Sequence, residues 1–80
     1  MISESMRNAL ATQLNREFHS AYLYLAMSAH CSHLEFNGAA AWLKLQYEEE
    51  HDHATKIYEY LIEQGVRVTL SQIEQPPTDF

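Results

Sequence analysis

"GAAAWLKLQYEEEHDHATKIYEYLIEQG", residues 38–65, decides how this chain folds. Its two glycines bracket a run with no proline and no further glycine. Leu43, Tyr47, Ala54, Ile57 and Leu61 fall on one helical stripe, with Glu50 filling the step between Tyr47 and Ala54. Asn37 is placed to cap this helix, with Phe36 before it as a hydrophobic staple. Gly65 suits the left-handed residue that ends it. The expected helix therefore spans about residues 38–64.

Upstream, residues 4–32 are rich in Ala, Leu, Met, Glu and Gln, all good helix formers. Ser3 reads as an N-cap, and Glu4 suits the positive end of the helix dipole. Leu10, Leu14, Ala21, Tyr24, Ser28 and Cys31 draw one stripe, and Phe18, Tyr22, Leu25 and Ala29 flank it. Two helices of similar length, separated by about five residues, fold back as an antiparallel hairpin. Residues 1–65 thus read as a helical hairpin, and residues 66–80, which reach Pro76-Pro77, as an extended connector. The apolar faces are too wide for two helices to bury alone. The expected fold is all-α, half of a four-helix bundle completed by other copies or other chains.

Composition narrows the function. Eighty residues make one domain, near the size where a single core is marginal. Cys31 is the only cysteine, so no internal disulfide supports it. Eleven acidic residues against five basic ones make a poor partner for nucleic acid. The opening "MISESMRNAL" lacks a basic region followed by an apolar run, and no apolar stretch approaches the ~18 residues of a membrane span. A cytoplasmic location is expected.

Both stripes are interrupted by a carboxylate, Glu17 in the first and Glu50 in the second. A core-facing carboxylate is costly unless it is paired or binds a metal. In an antiparallel hairpin centred near residue 35, Glu17 and His53 are each eighteen residues from the turn and so sit level. Glu50 precedes His53 by three residues, on the same helical face. Glu17, Glu50 and His53 are therefore expected to converge. Carboxylates plus one imidazole suit Fe(II), Mn(II) or Zn(II). Ferritin-like di-metal proteins use one Glu from each of two helices and Glu-x-x-His from each of the other two, and this chain offers half of that set. Glu48, His51 and Asp52 point away and read as a solvated face, while Glu49 is intermediate. His19, His30 and His33 read as surface or interface histidines. The plain alternative is a metal-free hairpin, a structural or assembly module whose inward Glu residues hydrogen-bond to Tyr24 or Tyr47.

"LNREFHSAYLYLAMSAHC" (14–31), the stretch 38–65 and "PPTDF" (76–80) together resemble the first half of the non-haem bacterial ferritins. The resemblance covers nearly the whole chain. It implies the first two helices of a four-helix bundle and the start of a crossover. It also implies assembly into a hollow cage that oxidises Fe(II) with O2 and stores Fe(III) as a mineral. Carried across, it makes Glu17 a terminal iron ligand, Glu50 the bridge between two irons and His53 the imidazole ligand of one. Tyr24 becomes the tyrosine beside the di-iron centre, and Glu49 a ligand of a third iron site. The helices that would follow the crossover, and their ligands, lie outside these residues. A fragment, a complementary C-terminal half, or pairing of two copies would each account for that. Another di-metal oxidase or peroxidase on the same fold is a further reading.

Overall fold

Helix α1, Glu4–His33, starts where Ser3 turns extended and its Oγ accepts the Met6 N–H at 3.1 Å. That bond satisfies one of the free amides at the helix start. Glu4 stands in its first turn and His30 and His33 in its last, in keeping with the helix dipole. Helix α2 spans Asn37–Glu63. The computed structural model describes residues 2–80, and among these the two helices pack as a hairpin with no strand.

Both helices end in the same way. After α2 the Val66 N–H donates to the Leu61 carbonyl and Gly65 N–H to Ile62, each at 3.0 Å, with Gly65 at φ 74°. After α1 the Phe36 N–H donates to Cys31 at 2.8 Å and Glu35 N–H to Ser32 at 3.0 Å, with Glu35 at φ 64°. These are paired Schellman closures, one on glycine and one on a residue with a side chain. The closure at Glu35 brings the chain round quickly, so α2 begins one residue earlier than its sequence suggested. Phe36 occupies the N-cap position without a side-chain cap bond, and Asn37 is the first helical residue. Phe36 is 60% exposed and staples nothing.

The seam between the helices is narrow. Leu14, Ala21 and Ser28 of α1 are buried at intervals of seven, as are Ala54 and Leu61 of α2. Such spacing keeps one line of contact facing a partner helix along their common length. Leu14, Ala54 and Leu61 form the core cluster, joined by Leu10, Phe18 and Ile57, by Ile2 ahead of α1, and by Val66 and Val68 just after α2. Nearer the loop, small residues let the backbones approach, and the Ser28 hydroxyl donates to the Ala40 carbonyl of the other helix at 2.7 Å. The connector then runs back along α1: the Ser71 N–H donates to Asn15 Oδ1 at 3.3 Å, and Phe80 packs edge-on against His30 with ring centres 5.5 Å apart.

Much apolar surface stays uncovered. Tyr22, Leu25, Trp42, Leu45, Tyr58 and Ile62 are all exposed on this hairpin. Helices with apolar faces this broad bury them against further helices.

Candidate metal centre

The two stripes place Glu17 between Leu14 and Ala21 and Glu50 between Tyr47 and Ala54, so both carboxylates border the seam. His53 follows Glu50 one turn later. One ligand atom from each of Glu17, Glu50 and His53 can be chosen so that all lie within 4.8 Å of one another. His53 turns its Nδ1 toward Glu17 Oε2 at 3.8 Å. Only 17% of the Glu17 side chain is exposed, against 55% for His53. The cluster thus opens sideways from the hairpin, with Glu17 at its sheltered end.

Two carboxylates this close cannot both stay charged without a neighbour to offset them. The Glu50 carboxyl is raised above its ordinary range because it donates a hydrogen bond to Glu17, with burial and the Glu17 charge adding to the effect. Glu17 is lowered, chiefly by that same bond; the Gln13 amide and His53 also favour its charge, while burial opposes them. The opposite shifts are those of two acids that titrate as a pair, and a cation between them would relieve their repulsion. The donor set fits a hard divalent ion: two carboxylates and a ring nitrogen, with no thiolate among them.

Glu17 is also held from its own helix. Gln13 Nε2 donates to Glu17 Oε1 at 2.8 Å. The sequence reading did not single out Gln13; its place four residues before Glu17, where helical side chains meet, was the available signal. The inward acids find Gln13, His53 and each other, where the plain alternative expected Tyr24 or Tyr47. Tyr24 is half-buried two turns beyond Glu17, and among the described residues no hydrogen bond joins its hydroxyl to the three clustered side chains. Glu49 is exposed and belongs to no such cluster among the described residues.

Glu48, His51 and Asp52 are exposed. His51 nevertheless has company. Its ring packs edge-on to Phe18 at 6.3 Å and lies 6.0 Å from Tyr47, with Nδ1 3.8 Å from Asp52. One residue beyond Glu50, a side chain is turned by about 100° and meets the opposite border of the seam, where Phe18 stands.

Residues 7–80 match the family described as Ferritin-like domain. The bacterial non-heme ferritin of Campylobacter jejuni is 39% identical over all 80 residues, which make up 48% of that protein. Among solved structures, a novel open pore ferritin from the hyperthermophilic archaeon Archaeoglobus fulgidus is 40% identical. It superposes with a TM-score of 0.92 over 100% of this chain and 49% of its own. A humanized archaeal ferritin gives 38% identity and a TM-score of 0.93 over the same shares. The chain spans about half the length of the curated relatives it matches.

Proposed function

The chain belongs to the ferritin-like domain family, and from that premise we propose that it is an iron-storage and ferroxidase subunit, or half of one. The observation that carries this reading is the convergence of Glu17, Glu50 and His53. Iron is the substrate: two Fe(II) each yield one electron to O2, and two protons complete the products, two Fe(III) and one hydrogen peroxide. Hard carboxylate oxygens favour the more highly charged ion and so favour oxidation. In this reading Glu50 bridges the two irons, Glu17 binds one as a terminal ligand, and His53 supplies neutral nitrogen to one. Tyr24 is assigned a neighbouring role in oxidation, and Glu49 a third iron site. Zn(II) or Mn(II) would serve as surrogates.

Three side chains are too few for two irons, so in this reading the other half of the donor set lies outside these 80 residues. A complementary C-terminal half would supply it, or a second copy, giving four Glu and two His in all. Exposed Tyr22, Leu25, Trp42, Leu45 and Tyr58 favour such association, and a cage is the assembly we propose. Among the described residues no helix is long and apolar enough to cross a membrane, and a cytoplasmic location is part of the proposal. The same exposed surface favours one rival, a hairpin that assembles without metal. Mass in solution combined with anaerobic Fe(II) titration separates them. An assembly that takes up about two irons per pair of Glu-x-x-His motifs supports the ferroxidase reading. Association with no uptake, unchanged by Glu17→Ala, leaves the structural module.

A further inference from the structure

We infer that Gln13 is a positioning residue that keeps Glu17 a one-oxygen ligand; the inference rests on the metal-centre reading. The two oxygens of Glu17 have different partners. Oε1 accepts from Gln13 Nε2 at 2.8 Å, back along α1, while Oε2 is the oxygen facing His53 Nδ1 at 3.8 Å. Oε2 is therefore the oxygen turned to His53, while Oε1 is engaged by the amide. For both oxygens to grip one ion, the carboxylate must turn about its last side-chain bond. That torsion is broad and soft in glutamate, so the side chain itself offers little resistance. The amide supplies it, because turning breaks the 2.8 Å bond.

The chemistry of glutamine suits the task. Its amide end must be the one that meets Glu17, since the reverse orientation would set two oxygens against each other. It donates without carrying charge. A lysine or arginine in its place would hold the same oxygen but would also neutralise the carboxylate and repel an incoming cation. Gln13 thus fixes the direction of Glu17 and leaves its charge available. Its location supports this division of labour: Gln13 lies one turn below Glu17 on α1 and is itself exposed, so it contributes little to the core. A single-oxygen terminal ligand also leaves more of the metal's coordination sphere open than a chelating one.

Partners that orient a ligand typically change metal affinity by 10–100-fold when removed. An exposed amide with one bond belongs at the lower end of that range.

The experiment uses Co(II), whose visible absorption reports its coordination number, with the whole chain, Gln13→Met and Glu17→Ala. Methionine matches the length of glutamine without its donor, and circular dichroism with mass in solution checks that helix content and assembly are unchanged. The expected result is about tenfold weaker Co(II) binding by Gln13→Met, with a weaker visible band as Glu17 turns to grip with both oxygens. Binding and spectrum identical to the unsubstituted chain would overturn the role of Gln13 while leaving the centre intact. If Glu17→Ala binds Co(II) as tightly as the unsubstituted chain, the centre itself is lost, and this inference with it.

Discussion

The carboxyl groups of Glu17 and Glu50, thirty-three residues apart in the chain, meet at the border of the helical seam, close enough to push each other's titration in opposite directions. Each acid shifts the other: Glu17 stays charged more readily, and Glu50 keeps its proton longer. Without a cation this pair is a cost to the fold. It is the feature on which the first two predictions rest.

Replacing both acids by leucine removes the charges from a border that is otherwise apolar. Buried or half-buried charged groups exchanged for apolar ones often leave stability unchanged or raise it. Glu17→Leu with Glu50→Leu is expected to bind neither Fe(II) nor Co(II) and to melt no lower than the unsubstituted chain. Anaerobic titration and thermal melts check both halves of this statement.

The paired shifts give metal-free stability a defined pH dependence. Lowered Glu17 contributes stability present above the ordinary glutamate value of 4.5 and lost as pH falls through its folded value. Raised Glu50 contributes stability present below 4.5 and lost as pH rises through its folded value. Glu50→Gln keeps a neutral donor facing Glu17 at every pH. It is therefore expected to melt higher than the unsubstituted chain near neutral pH, with the gain vanishing once acid protonates Glu50. A divalent ion should shrink the same gap by raising the melting point of the unsubstituted chain alone.

Glu35 occupies the left-handed conformation, at φ 64°, that closes α1. Such a residue costs roughly 1–2 kcal/mol when it carries a side chain, and glycine avoids this while losing some unfolded-state entropy. Glu35→Gly is expected to raise stability by about 0.5–1 kcal/mol, measured by urea denaturation. Open space surrounds Gly65 at the matching point after α2, yet its φ of 74° makes Gly65→Ala destabilising by a similar amount.

Ser28 is buried, and its hydroxyl holds the Ala40 carbonyl of the facing helix at 2.7 Å. Ser28→Ala deletes the donor with little change in volume. A loss of about 1 kcal/mol is expected, and amide exchange should speed up near the loop more than at Leu14 and Leu61.

Much of this fold could be read from the chain because helical periodicity reports direction around an axis. It set Leu14, Ala21 and Ser28 on one line and Ala54 and Leu61 on another, and the hairpin follows. Distance from the turn then put Glu17 level with His53. Periodicity says less about what a loop does. The closure at Glu35 requires no glycine, so nothing in its side chain announced it, and the N-cap of α2 consequently falls on Phe36 instead of Asn37. Contacts at the borders of the seam also escaped notice. His51 points away from Glu50 yet meets Phe18, because the border belongs to neither helix alone. Gln13 was overlooked because a polar residue beside an acid looks like ordinary solvated surface.

The seam itself has a consequence for the metal-binding reading. Ala54 follows His53 directly, is wholly buried and packs in the cluster with Leu14 and Leu61, while Ser28 fastens the helices together nearer the loop. The hairpin resembles a pair of callipers: the bond at Ser28 acts as the pin, and the volume of apolar side chains fixes how far the arms stand apart. Glu17 and Glu50 ride on those arms, so their separation is governed by residues that touch no ion. Adjusting the bite of this centre is thus a matter of core volume, and a few added methyl groups beside Ala54 would widen it without substituting any ligand.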